Sequence, residues 1–139
     1  MGSSGYRFTF SDGKSVAVCT DLGIVTDEVK NSLSGCDTVL IESNHDIDML
    51  KRGPYPPQLK LRILSDNGHL SNNACALTLK ELLKGGTVRF ILGHLSQHNN
   101  LPMLALSTAK QSLLDLGAKC GSDYTLSVAK PCFNEVTLF

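Results

Sequence analysis

Four short polar segments contain the residues of this sequence that are best suited to chemistry. Each follows a predicted strand or opens a predicted helix, and they are residues 20–23, 42–46, 68–72 and 93–100. Together they hold all four histidines and several carboxylates, which are ligands for zinc or manganese and acid–base groups near neutral pH. Polar loops at the carboxyl ends of strands meet at one edge of an α/β sheet. We therefore expect the four segments to converge.

The elements between these segments predict a single α/β domain over residues 6–139. Strands are predicted from alternating or continuous apolar runs at residues 6–10, 15–20, 38–41, 87–92 and 124–129. Helices are predicted from capping residues and apolar periodicity at residues 26–35, 47–50, 59–64, 72–84 and 102–116. A chain of 139 residues is expected to form one core. Residues 1–5 are expected to be an added leader or a truncation point.

Charge, hydropathy and cysteine spacing exclude several classes of protein. Thirteen basic residues balance thirteen acidic ones, so no general attraction to nucleic acid or anionic membrane is expected. No apolar run approaches the ~18 residues of a spanning helix, and no signal segment opens the chain. The cytoplasm is therefore the expected location. The five cysteines are odd in number and scattered, which favours buried thiols over disulfides or a zinc site.

Each polar segment also has a purely structural interpretation. Asp21 before Leu-Gly is typical of a turn, a histidine beside glycine can satisfy free N–H groups at a helix entrance, and Asn99 with Asn100 is typical of a cap or loop. Taken singly, each segment favours that structural interpretation. Taken together, four such segments at strand ends favour a functional site.

The order of the four segments resembles the C-terminal motifs of the metallo-β-lactamase superfamily, most closely its small bacterial YycJ-like subgroup. The Thr-Asp-Leu-Gly at Asp21 resembles the motif with the metal-bridging aspartate. The Leu-Gly-His-Leu-Ser at His94 resembles the last metal-binding histidine motif. The resemblance covers Tyr6 to about Asn100 and implies a mixed sheet with helices on one face, which is one half of a four-layer αββα sandwich.

The resemblance also implies roles for individual residues. Asp21 would be the carboxylate shared by two ions, and His94 a ligand to one of them, with zinc or manganese as the metal. Glu42 and His69 resemble a pair in the tRNA 3′-processing nucleases, where the carboxylate orients an imidazole that passes a proton to the leaving oxygen. The residues expected to contact substrate phosphate or give supporting hydrogen bonds are His45, Ser71, Asn72 and His98.

The implied activity is that of a phosphodiesterase or nuclease that attacks DNA or RNA with a hydroxide activated by two metal ions. The family's His-x-His-x-Asp-His run is absent from this sequence. We therefore expect the chain alone to be inactive, with metal weakly bound or absent, and to need a missing N-terminal half or a second copy of itself. The alternative is a non-catalytic α/β domain that forms a homodimer through its exposed sheet face.

Overall fold

Five strands form one mixed sheet in the part of the chain that the computed structural model describes, residues 5–131. β1 (Gly5–Thr9) runs antiparallel to β2 (Ser15–Cys19), as the predicted hairpin requires. β3 (Thr38–Glu42), β4 (Arg89–Gly93) and β5 (Thr125–Val128) follow β2 in order, and each pairs parallel to its neighbour. The predicted α/β class is confirmed.

Five helices connect the strands. They are α1 (Asp27–Leu33), α2 (Ile47–Arg52), α3 (Pro57–Leu64), α4 (Asn72–Lys84) and α5 (Pro102–Leu114). The side chains of Thr26, Asp46 and Ser71 accept backbone N–H bonds at the starts of α1, α2 and α4, because each satisfies a donor that the first helical turn leaves free. None of the helices within residues 5–131 is long and apolar enough to cross a membrane.

One face of the sheet is covered by helices and forms the core. Its buried strand residues alternate along β2, β3 and β4, and they are Ala17, Cys19, Val39, Ile41, Phe90 and Leu92. They share one cluster with Leu33 of α1, Leu79 of α4 and Leu113 of α5. Each large aliphatic side chain buried here contributes roughly 1.5–3 kcal/mol of transfer free energy.

The opposite face of the sheet, which we call the open face, is apolar and incompletely covered. Val18 pairs with Tyr6 on one side and with Leu40 on the other, and Leu40 pairs with Ile91, so these four side chains share one face. Val18, Leu40 and Ile91 are half-buried, whereas Tyr6 is 64% exposed. Apolar side chains on both faces are typical of a sheet that packs against another layer.

The cysteines follow the predicted pattern with one exception. Cys19, Cys36 and Cys75 are buried free thiols, but Cys120 is exposed, so the prediction of a buried thiol is wrong there. Cys120 lies in the turn region after α5, outside the sheet's covered face. Burial raises the pKa of the Cys75 thiol to about 12, so it does not act as a thiolate at neutral pH. Cys132 lies outside the described residues.

Two glycines bring the loops at the carboxyl edge of the sheet into backbone contact. A Cβ on Gly23, in the loop after β2, would lie 2.1 Å from the Asp66 carbonyl oxygen and 2.6 Å from the Gly68 nitrogen. A Cβ on Gly68 would lie 2.2 Å from the Ile63 carbonyl oxygen. Only glycine fits at either position, because the atoms in the way belong to the backbone. The loop that carries Asp21 therefore packs directly against the loop before α4.

Gly23→Ala should lower the free energy of unfolding by about 1–3 kcal/mol, since the backbone of residues 66–68 must move to admit the methyl group. The matched control is Gly85→Ala at the end of α4, where the new Cβ would meet mainly the rotatable Ser34 hydroxyl. That change should cost less than about 0.5 kcal/mol. Urea unfolding of both variants measures the difference, and equal losses would contradict the proposed loop contact.

Candidate metal and catalytic site

Glu42, the last residue of β3, is the centre of the candidate site. Its side chain is fully buried, at 0% exposure. The Oε2 atom accepts a hydrogen bond from the Leu22 backbone N–H at 2.7 Å, and Oε1 accepts from two imidazoles. A buried carboxylate is costly unless it is hydrogen-bonded, and these charge-assisted bonds offset that cost. Glu42 thus ties the loops after β2 and β4 and the loop before α4 to the middle of the sheet.

His69 and His94 are oriented by the same oxygen of Glu42. Their Nδ1 atoms lie 2.8 Å and 2.7 Å from Glu42 Oε1. Because a carboxylate offers only acceptors, each Nδ1 carries a hydrogen and donates it. The Nε2 atom of each ring is left to bind a cation or to exchange a proton with a substrate. The two rings lie edge to face, with centroids 5.2 Å apart.

Asp21 and His94 share an unusual backbone conformation. Their φ angles are 59° and 54°, and they are the only non-glycine residues with positive φ within residues 5–131. Asp, Asn and His tolerate this region better than other side chains, and strained backbone concentrates at functional sites. The two residues that the motifs single out as metal ligands are therefore also the two held in left-handed backbone.

Three donors of the site form a group with the spacing of cation ligands. One ligand atom from each of Asp21, His69 and His94 lies within 4.8 Å of the others. A carboxylate oxygen and two imidazole nitrogens suit zinc or manganese. The buried charge of Glu42 beneath them adds negative potential. The arrangement can therefore attract a divalent cation and also hold a proton on an imidazole.

A buried amide network fixes the loop that carries His94. Asn44 Nδ2 donates to the His94 carbonyl oxygen at 2.9 Å. Asn100 Nδ2 donates to the carbonyl oxygens of Ser43 and Asn44 and to the side-chain oxygen of Asn72. Asn44 was not among the predicted site residues, although its position between a strand end and a histidine is a usable signal. Its amide holds the left-handed backbone of His94 in place.

The remaining candidates occupy different surroundings. Ser71 accepts from the Ala74 N–H as the cap of α4, and Asn72 is buried in the amide network. His98 is exposed, whereas His45 is 1% exposed. The roles expected for these four residues, contact with substrate phosphate or supporting hydrogen bonds, remain predictions.

A cleft of about 970 Å³ opens above the site. Its lining includes the three donors Asp21, His69 and His94, and it continues to Tyr55 and His98. A cavity of this size is within the range that holds small ligands. A ligand in this cleft would lie beside Asp21, His69 and His94.

Comparison with known proteins finds sequence relatives over most of the chain. "Exodeoxyribonuclease YycJ" of Bacillus anthracis is 36% identical over 121 residues, and "Exodeoxyribonuclease WalJ" of Streptococcus pneumoniae (strain D39) is 40% identical over 126 residues. The alignments cover 87% and 91% of this chain. This chain is a sequence relative of the YycJ-like proteins. The relationship that the four segments predicted is thereby confirmed.

The YycJ-like chain spans about half the length of the curated relatives it matches, 46% of each. These relatives are bacterial proteins. No protein-family profile matches the sequence.

His45 is a buried histidine close to the candidate site. Neither of its ring nitrogens has a hydrogen-bond partner within residues 5–131. Burial, with a smaller contribution from nearby His69, lowers the pKa of His45 to about 4. The ring is therefore neutral in the folded protein near neutral pH, because burial disfavours its charged form.

The free energy of unfolding should consequently fall as pH decreases from about 6.5 toward 4. The folded pKa lies below the usual value of about 6.5, so the unfolded chain binds the proton more readily in this window. The contribution of neutral His45 to the free energy of unfolding is fully present above pH 6.5, and roughly 2 kcal/mol of it is lost by pH 5. His45→Leu should remove this loss without lowering stability at pH 7, because no hydrogen bond is broken.

Urea unfolding of wild type and His45→Leu from pH 8 to 5 measures the effect. The stability difference between them should be constant above pH 7 and should grow in favour of the variant below pH 6.5. Parallel curves throughout would contradict the assignment of His45 as an acid-sensitive residue.

Proposed function

We propose that this chain is the C-terminal half of a metal-dependent hydrolase that degrades DNA from its ends. The observation that carries this proposal is the convergence of Asp21, His69 and His94 around buried Glu42. Its relatives are named exodeoxyribonucleases, which supports phosphodiester hydrolysis and DNA as the substrate.

Asp21 and His94 are the residues that would hold metal. Their donor types fit zinc or manganese, and their backbone is held in a conformation that few other residues tolerate. When bound, two divalent ions would supply a water acidified near neutral pH and positive charge to stabilise the transition state. Structural and catalytic zinc sites need three or four protein ligands. We propose that the further ligands come from an N-terminal half, so that this chain alone binds metal weakly and is inactive.

His69 is the proposed proton donor to the leaving oxygen. Its Nδ1–H is held by Glu42, so a second proton on Nε2 would be the one available to a substrate. Glu42 and Asp21 supply negative charge beside the ring when it carries that proton. The 4.8 Å spacing is also compatible with His69 as a third metal ligand. The resemblance of the Glu42–His69 pair to that of the tRNA 3′-processing nucleases favours the proton-donor role of His69 over the ligand role.

The open face is the proposed contact of the N-terminal half. Tyr6, Val18, Leu40 and Ile91 form an apolar surface on the sheet opposite its helices. A second sheet stacked on this surface would complete a four-layer αββα sandwich. The cleft with Asp21, His69 and His94 also opens at Tyr6, so the added half would border the site.

A non-catalytic homodimer is the second candidate function. The same apolar surface supports it, because a two-fold axis would stack equivalent open faces. The two proposals differ in what covers the surface and in whether metal is bound.

Removal of a metal ligand and removal of the proton donor should have different effects. In the protein assembled from this chain and an N-terminal half, Asp21→Asn and His94→Asn should each lower zinc or manganese content, since an amide is a poor replacement for either donor. Asparagine tolerates left-handed backbone, so both variants should remain folded. His69→Ala should keep the metal and lower kcat about 100- to 10,000-fold. Elemental analysis and release of nucleotides from linear DNA measure both properties.

Equal metal loss in all three variants would make His69 a ligand rather than the proton donor. Full metal content in the Asp21 and His94 variants would contradict the proposed ligand assignment.

Assembly should restore activity and depend on the open face. Co-expression with the N-terminal half of the Bacillus anthracis relative should give a one-to-one complex that cleaves DNA, whereas the chain alone should not. Leu40→Lys should prevent assembly, because it places a charge in the buried interface. The matched control is Leu77→Lys, since Leu77 is 63% exposed on α4, away from the open face.

Light scattering and DNA cleavage distinguish the candidates. A stable homodimer that Leu40→Lys dissociates, with no metal and no complementation, would favour the non-catalytic domain. A complex that binds metal but leaves DNA intact would contradict the nuclease proposal.

A further inference from the structure

The lining of the cleft also contains an aromatic pair that takes no part in the proposed metal binding or proton transfer. The rings of Tyr55 and His98 lie edge to face, with centroids 6.0 Å apart. Tyr55 is half-buried and His98 is exposed, and both line the cleft that holds His69 and His94. Neither ring belongs to the core cluster. An aromatic surface open to a polar cleft is suited to stacking on a planar ligand.

The backbones that carry the two rings are constrained by prolines and by close contacts. Tyr55 lies between Pro54 and Pro56, which restrict both its neighbours and its own backbone to extended conformations. Gly53 packs closely on the neighbouring loop, since a Cβ there would lie 2.8 Å from Asn99 Oδ1. The backbone of Asn99 is in turn bonded to the start of α2 and to a serine hydroxyl. The aromatic pair is therefore preorganised, which lowers the entropic cost of binding.

Arg62 adds a cation to the lining of the same cleft. It lies on α3, one turn after Leu59, and both line the cleft. Its side chain is exposed, and no carboxylate within residues 5–131 forms an ion pair with it. A guanidinium group binds phosphate through two parallel N–H bonds. This cation is available to a ligand in the cleft.

We infer that Tyr55, His98 and Arg62 form a subsite for an unpaired nucleotide of a DNA strand whose end lies at the metal-ligand cluster. This inference rests on the proposed function. Aromatic rings with a nearby cation recognise single strands, because every unpaired base offers a face for stacking. Paired bases inside a duplex do not offer that face. The subsite gives a chain with balanced net charge a local means of holding its substrate.

Nuclear magnetic resonance titration of the full 139-residue chain tests the subsite without metal. A short oligomer of deoxythymidylate, added in the presence of a chelator, should shift the resonances of Tyr55 and His98. A blunt-ended hairpin duplex should bind more weakly. Tyr55→Leu should weaken oligomer binding about 5- to 100-fold, whereas Tyr55→Phe, which keeps the ring, should stay within about 2-fold of wild type.

A charge variant provides a second test of the proposed subsite. Arg62→Gln should weaken binding and reduce the slope of log K against log salt by about 0.7, as expected for one phosphate contact to a single strand. Arg52→Gln is the control, since Arg52 is an exposed arginine at the end of α2 that does not line the cleft. Its slope should equal that of wild type.

The subsite would be overturned by unchanged affinity in Tyr55→Leu, by equal affinity for the duplex, or by no shift at Tyr55 and His98. None of these results bears on metal content or DNA cleavage in the assembled protein. The nuclease proposal can therefore stand while the subsite fails. A chain that binds the oligomer as expected but forms no active complex would retain the subsite and lose the proposed function.

Discussion

The burial of one carboxylate determines the geometry of the whole site. Glu42 ends the middle strand of the sheet, where no water reaches it, so its oxygens must be satisfied by protein donors. The donors are the Leu22 N–H and the imidazoles of His69 and His94. Three chain segments that are distant in sequence must therefore meet at one residue. The geometry of the metal-ligand group follows from that requirement.

In the proposed function, the same carboxylate would link metal binding to acid–base chemistry. Because Glu42 Oε1 accepts from both rings, it fixes which nitrogen of each imidazole is left for the cleft. One ring can then bind a cation and the other can hold a proton, although their contacts with Glu42 are nearly identical. What distinguishes them is the backbone, since His94 is held in left-handed conformation by the Asn44 amide, whereas His69 lies in the loop that leads into α4.

The sequence was sufficient to predict the elements because local signals were strong. Ser71 caps α4, and the predicted range from Asn72 to Lys84 agrees with the structure. Asp21 and His94 were recognisable from their motifs. The double role of Glu42 and the strained backbone were not predictable, since they depend on which loops meet in space. Asn44, which lies between a strand end and a histidine, could have been singled out from the sequence. Burial of Cys120 was wrongly predicted, because spacing alone does not report position relative to the covered face.

The open face and the site have a common physical cause. A sheet that carries helices on one side leaves Leu40 and Ile91 half-buried on the open face, and the cleft that holds the site also reaches Tyr6 of that face. Covering the apolar surface would exclude water from the cleft and strengthen the electrostatic interactions of Asp21 and Glu42 with any cation there. Under the proposed function, one added layer would therefore serve both stability and chemistry. A layer that buried the open face without bordering the cleft would stabilise the fold. It would leave any cation in the cleft exposed to solvent.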